Sequence, residues 1–204
     1  MASVEYRLAP EHPYPSCLND CVDAALFVLS DQGQAALGGA PLRVLGGESA
    51  GGWLAVSTAL ALRDEHKVDG RSQLAAICAG YGVFDLTYTP SVFAHKRSIV
   101  LSKDLTVRFI EAAFGHIPLA DRKDPKISPL YADLKDLPPA QFLVGNIEPL
   151  LDDSIFMAVK WSQAGNDAEL NVVEGACHAF TLIPMGDATD EGLQKLIDFV
   201  GKHI

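Results

Sequence analysis

The stretch "VLGGESAGGWLAV", Val44–Val56, decides how the chain is read. An apolar run of strand length comes first, and an apolar run with helical character closes it. Between them four glycines (Gly46, Gly47, Gly51 and Gly52) surround Ser49. A chain that passes from one such run to the other within a few small residues is a strand–turn–helix.

Gly47-Glu48-Ser49-Ala50-Gly51 fits Gly-x-Ser-x-Gly. The pentapeptide alone is weak, because glycine–serine clusters are common in plain turns. Its setting makes it a candidate nucleophile elbow, in which a strained turn lifts the serine hydroxyl out of the sheet. Residues two before and two after the serine are expected to approach closely, so Gly47 and Gly51 are read as side-chain-free by necessity. The first helical N–H groups would face a developing oxyanion. A phosphate cradle is the competing reading, but no lysine follows the glycines and Gly-x-Gly-x-x-Gly is absent.

A serine hydroxyl needs a base, and the base needs an orienting acid. In this architecture the order along the chain is Ser, then Asp or Glu, then His. His178 lies in "VVEGACHAF", directly after the last apolar run, on the sheet edge where Ser49 should emerge. His12, His66, His95, His116 and His203 are worse placed. The acid should follow the preceding strand, where "FLVGNIEPLLDDS" offers Glu148, Asp152 and Asp153. Glu148 comes first, in the loop, and is preferred. Asp152 is the alternative, since it and Asp153 could merely cap the next helix.

Strands are expected at Val4–Leu8, Leu42–Leu45, Leu74–Ala79, Gln141–Val144 and Leu170–Val173. Helices are expected from Pro15 to about Ser30, and over Ala50–Arg63, Ser102–Phe114, Leu150–Gln163 and Thr189–Ile204. "DQGQAALGGAP" reads as a surface connection. Uniformly apolar strands alternating with helices predict an α/β fold: a mostly parallel sheet with helices on both faces. The 204 residues suffice for one domain, 1–204, with residues 84–137 as an irregular helical insertion near the pocket. Phe93, Phe109, Phe114 and Tyr131 in that insertion are candidates for pocket walls or ordinary core.

A hydrophobic content of 49% with 21% charged residues places the chain among globular proteins. The formal net charge of −10 argues against nucleic acid and anionic membranes as partners. No apolar run is long enough for a membrane span, and "MASVEYRLAP" lacks the basic-then-apolar order of a secretory signal. The four cysteines form no Cys-x-x-Cys pair, and the six histidines are scattered, so no metal site is expected. Cys17 and Cys21, four apart on a helix, are read as buried small residues rather than a redox pair. A reduced, cytoplasmic protein follows as the default.

Taken together, these residues resemble the hormone-sensitive lipase group of α/β-hydrolases, which includes many microbial carboxylesterases. "VEYRLAPEHPYP" (Val4–Pro15) is the most specific stretch. "GGESAGG" (Gly46–Gly52) is similar to the group's Gly-Asp-Ser-Ala-Gly-Gly, with Glu48 for the aspartate. "SPLYADLKDLPPAQFLVG" leads into "EPLLDD", which resembles the Asp-Pro-Leu acid motif with Glu148 in the acid's place. "HAF" at His178 resembles His-Gly-Phe. The resemblance implies cleavage of short- to medium-chain carboxylic esters through an acyl-enzyme, with no cofactor. Ser49 would attack, His178 would shuttle the proton, Glu148 would orient it, and Ala50 would donate to the oxyanion.

Members of the group carry a longer N-terminal part with the first strands, a cap and a His-Gly-Gly-Gly oxyanion loop. None of these is in this sequence. The expectation is therefore an N-terminally truncated chain whose Val4–Leu8 must pair directly with the next strand or leave a gap. The absent loop implies weakened turnover or none, since one lost oxyanion donor costs roughly 10²–10³ in rate. Two alternatives remain open at this level. One is a non-catalytic hydrolase-fold binder, against which the retained His178 speaks. The other is an aryl-amidase or formamidase with the same three residues. A homodimer is compatible with the sequence.

Overall fold

The computed structural model describes residues 1–204. Helices α1 (Ser16–Leu29) and α2 (Asp31–Ala36) precede strand β1 (Val44–Glu48). Helix α3 (Ala50–Asp64), the single turn α4 (Gly70–Gln73) and strand β2 (Ala76–Gly80) follow. Helices α5 (Pro90–Ala94) and α6 (Lys103–Phe114) lead through two 3-10 turns to β3 (Ala140–Ile147) and α7 (Leu151–Gln163). Strand β4 (Ala168–Cys177) and α8 (Asp187–His203) complete the chain.

The four strands pair in the order β1-β2-β3-β4, all parallel. Their continuous apolar character follows from cover on both faces. Ile77, Ala79 and Phe142 pack with Val56 and Leu60 of α3 and with Met157 and Trp161 of α7. Ala76 and Cys78, pointing the other way, meet Phe199 of α8. Alternation along each strand thus feeds two separate apolar layers. Trp161 is fully buried against Phe142, and its indole N–H donates to the Pro138 carbonyl at 3.0 Å. Ser49, Glu148 and His178 each directly follow the carboxyl end of a strand, β1, β3 and β4 in turn.

Residues 4–8 form no strand, contrary to the expectation for Val4–Leu8, and β1 is an edge of the sheet. A strand forms only where its N–H and C=O groups meet a ladder partner. Here the Arg7 N–H donates to the Asp20 side chain at 2.9 Å, and the Arg7 guanidinium closes on the same carboxylate. Arg7 holds that carboxyl down at about 2. The connection after α1 is partly helical, because the Ser30 hydroxyl accepts the Gly33 N–H and caps α2.

Residues 84–137 are tied down by polar contacts as well as apolar ones. Arg122, 3% exposed, donates to both oxygens of Glu111 at 2.6 and 2.8 Å, and the Tyr88 hydroxyl donates to the same carboxylate. The Arg122 contact holds the Glu111 carboxyl down at about 2, and burial pushes the Tyr88 phenol up to about 12. Phe114 stacks on Tyr14 and meets Trp53 edge-on within the core, whereas Phe93 and Phe109 are exposed. Tyr131 donates its hydroxyl to Asp85.

Candidate active site

Ser49 is the one residue between β1 and α3, at φ 57° and ψ −119°. A residue with a Cβ takes that left-handed backbone only under constraint from its surroundings. The constraint is visible in three bonds: the Ser49 N–H donates to the Gly80 carbonyl at 2.8 Å, and the Ser49 carbonyl accepts from Gly52 and Trp53. The Ala50 N–H is left without an acceptor in the chain, at the N-terminus of a fifteen-residue helix.

The glycine requirement differs from the expected one. A Cβ on Gly47 would lie 2.4 Å from the Gly51 carbonyl oxygen, so Gly47 must be glycine. A Cβ on Gly51 would meet nothing within 4 Å. The close approach is one-sided, because Gly47 faces the backbone of Gly51 while the Gly51 Cα faces open space. Gly52 takes the role not foreseen for it: its added Cβ would press on the Gly82 Cα at 3.0 Å and the Gly80 oxygen at 3.1 Å.

His178 follows β4 directly and is 7% exposed. Its Nε2 lies 2.8 Å from the Ser49 Oγ, and its Nδ1 lies 2.9 and 3.0 Å from the two carboxylate oxygens of Glu148. A carboxylate only accepts, so the proton of a neutral imidazole belongs on Nδ1. Nε2 then accepts from the Ser49 hydroxyl. Glu148 is itself buried, and its Oε1 also accepts the Leu150 N–H at 3.1 Å. The structure thus brings Ser49, His178 and Glu148 into one hydrogen-bonded line, with the acid taken from the turn between β3 and α7.

Asp152 is not in that line. Its Oδ2 accepts the Ser91 N–H at 2.8 Å, and its own N–H donates to the Ser91 hydroxyl. Asp153 is fully buried, and its Oδ1 accepts the N–H groups of Phe84 and Asp85 at 2.6 and 2.8 Å. Its Oδ2 accepts the Thr89 hydroxyl at 2.6 Å. Burial pushes this carboxyl up to about 7 against the pull of those donors. Both aspartates fasten the 84–91 segment to the start of α7, a use of the Asp-Asp pair that the local sequence did not suggest.

Two clefts lie apart from Ser49, which lines neither. A cleft of about 270 Å³ is lined by His95, Lys96, Arg97, Asn146 and Glu148 among others. A groove of about 720 Å³ runs between α1, the C-terminal half of α3 and residues 125–136, away from Ser49. Tyr131 does not line it, nor do Phe93, Phe109 or Phe114.

The family described as alpha/beta hydrolase fold matches residues 1–182. The chain is 30% identical over 206 aligned residues to the carboxylic ester hydrolase LipN of Mycobacterium tuberculosis, covering 99% of this chain and 54% of LipN. Among solved structures, a hyperthermophilic esterase from the archaeon Pyrobaculum calidifontis superposes with a TM-score of 0.82 at 30% identity. That match covers 94% of this chain and 62% of the other. An esterase from the bacterial hormone-sensitive lipase family superposes with a TM-score of 0.80 at 31% identity, covering 98% and 64%. The chain therefore spans between half and two thirds of the length of each of these proteins.

Proposed function

The chain belongs to the alpha/beta-hydrolase fold family, and from that premise we propose that it is a serine hydrolase of short- to medium-chain carboxylic esters. The observation that carries the proposal is the unbroken Ser49–His178–Glu148 line, with contacts of 2.8 and 2.9 Å. Relatives and structural neighbours named as ester hydrolases and esterases support the substrate class.

In this reading Ser49 attacks the ester carbonyl while His178 Nε2 takes the hydroxyl proton. Glu148 keeps the imidazole in the required tautomer and stabilises the imidazolium. The Ala50 N–H donates to the tetrahedral oxyanion. Collapse expels the alcohol, which takes the proton back from His178 and leaves an acyl-serine. Water, deprotonated by the same imidazole, then adds to the acyl carbonyl, and collapse breaks the bond to Ser49 as the imidazolium returns its proton to the Ser49 oxygen and the acid leaves. Every proton is supplied and recovered within the three residues and water, so no cofactor is required. The non-catalytic binder is disfavoured, because it gives no reason to hold an imidazole between a hydroxyl and a buried carboxylate.

The test is turnover of p-nitrophenyl butyrate together with labelling of Ser49 by a fluorophosphonate. Ser49→Ala should abolish both. Glu148→Ala should lower kcat by about 10³-fold or more, whereas Asp152→Ala, which leaves the line untouched, should lower it by about tenfold or less. Unchanged turnover in Ser49→Ala sinks the hydrolase reading, and a larger loss in Asp152→Ala than in Glu148→Ala sinks the acid.

We further propose a cytoplasmic homodimer. Four free thiols favour a reducing setting, and no helix is long and apolar enough to cross a membrane. The dimer rests on apolar side chains at the free side of β4.

A further inference from the structure

Three residues at the strand rim take left-handed backbone despite carrying side chains: Ser49 at φ 57°, Tyr81 at φ 35° and Ala179 at φ 61°. Ser49 bears the hydroxyl, and Ala179 follows the imidazole. Tyr81 has no part in the proton relay, yet it is wholly buried at the end of β2. Such backbone is costly for a bulky residue and persists only where the surroundings hold it.

The Tyr81 N–H donates to the Leu143 carbonyl at 2.6 Å, and its side chain enters a second polar chain beside the first. The Tyr81 hydroxyl lies 2.7 Å from the Thr181 Oγ1, and the Thr181 hydroxyl donates to Glu48 Oε1. Since Thr181 spends its proton on the carboxylate, the Tyr81 hydroxyl is the donor to Thr181. Burial raises the Tyr81 phenol, which keeps that proton in place. The Tyr81 ring then stands edge-on to the His178 imidazole, with centroids 4.9 Å apart.

The chain joins parts that the relay needs in register. Glu48 immediately precedes Ser49, and Thr181 is the third residue after His178, in the turn that carries the base. That turn closes on itself through the Leu182 and Ile183 N–H groups, both donating to the Ala179 carbonyl. Its far side is pinned to α8 by the Thr189 hydroxyl, which contacts the Phe180 and Ile183 carbonyls. Its near side is tied to the elbow by Thr181. Gly80 leaves room for the Glu48 side chain, since a Cβ there would lie 3.1 Å from the Glu48 Cγ.

We propose that Glu48, Thr181 and Tyr81 are positioning residues, a clamp that locks the base-bearing turn to the nucleophile elbow and fixes the imidazole plane against Ser49. The proposal deepens the hydrolase reading and rests on it for its kinetic consequences. Its geometric content, the orientation of His178, stands apart from turnover.

Thr181→Val keeps the shape and deletes the hydroxyl. It should lower kcat on p-nitrophenyl butyrate by about 10- to 100-fold, the range expected when a reacting group is displaced by a fraction of an ångström to one ångström. KM should stay within about twofold, because no substrate contact is removed. Thr181→Ser restores the hydroxyl and should recover most of the loss. Glu48→Asp withdraws the carboxylate by one methylene and should act like Thr181→Val. The double variant should be no worse than the poorer single one, since both break the same link. Tyr81→Phe, which spares the Thr181–Glu48 bond, should cost less.

The imidazole resonances of His178, followed by nitrogen-15 NMR across pH, report the clamp even without turnover. They should move in Thr181→Val and stay near wild type in Thr181→Ser. A wild-type protein that neither hydrolyses nor labels overturns the hydrolase reading, and the NMR comparison still decides the clamp. Unmoved His178 resonances in Thr181→Val, a serine variant as impaired as the valine one, or losses that simply add overturn the clamp.

Discussion

At Gly47 a missing side chain does structural work that composition alone cannot reveal. The 2.4 Å separation between its would-be Cβ and the Gly51 oxygen is a collision with backbone, which cannot turn aside as a side chain can. Gly47→Ala should therefore destabilise the protein by about 1–3 kcal/mol, as overpacking and a forced backbone shift do. Gly51→Ala, in the first turn of α3 with open space ahead of it, should be neutral or stabilise by up to about 1 kcal/mol through the lower entropy of the unfolded chain. Urea unfolding of the two variants measures this, and equal losses would show that the elbow needs both glycines. The pattern Gly-x-Ser-x-Gly is symmetric as text. The turn it encodes is not, because one glycine faces its neighbour's backbone and the other faces outward.

Among the elements, α7 has two duties that its amphipathic pattern does not distinguish. Met157 and Trp161 lock it to the sheet, and its first turn carries Asp153, which grips residues 84–89. The Asp153 carboxyl is raised from 3.8 to about 7 by burial. A carboxyl raised in the fold binds its proton more tightly folded than unfolded. Its contribution is therefore complete below pH about 4 and is lost as pH rises through about 7. Wild type should lose stability relative to Asp153→Asn between pH about 4 and 7, at up to about 1 kcal/mol per pH unit, with no further loss above that window. Chemical unfolding at each pH tests it, and parallel curves for the two proteins would refute it. Helix α7 was readable from its spacing, from Leu150 to Gln163, with an end at Gly165. The job of Asp153 was not, because an aspartate in a first helical turn looks the same in sequence whether it caps its own helix or clasps a segment about seventy residues away.

For the molecule as a whole, the free side of β4 is the place where a second copy would fit. Strand β4 is a sheet edge and exposes Leu170 and Val172, while α7, which packs against it, exposes Phe156 and Val159. An apolar group beside unpaired strand N–H and C=O groups favours edge-to-edge association. The proposed dimer should appear in sedimentation velocity at micromolar concentration, and Val172→Lys with Phe156→Glu should convert it to monomer. Sedimentation as a monomer in the wild type would remove the proposal. The net charge of −10 opposes close approach of two copies, so the association should strengthen as salt screens that repulsion.

From the sequence alone came the parallel α/β fold, the five long helices and the strand–turn–helix at Ser49, because hydrophobic period and turn chemistry are properties of neighbours along the chain. The order Ser, acid, His also nominated Ser49, Glu148 and His178, each directly after a strand. Only the tertiary structure decided that residues 4–8 are not a strand, since strand character depends on ladder pairing and the Arg7 N–H is bound to Asp20 instead. It also decided that Asp152 and Asp153 face the 84–91 segment, and that Thr181 reaches Glu48. Those outcomes depend on distances across the sheet between residues far apart in sequence. Such distances are fixed by which faces pack together, and no local pattern records them.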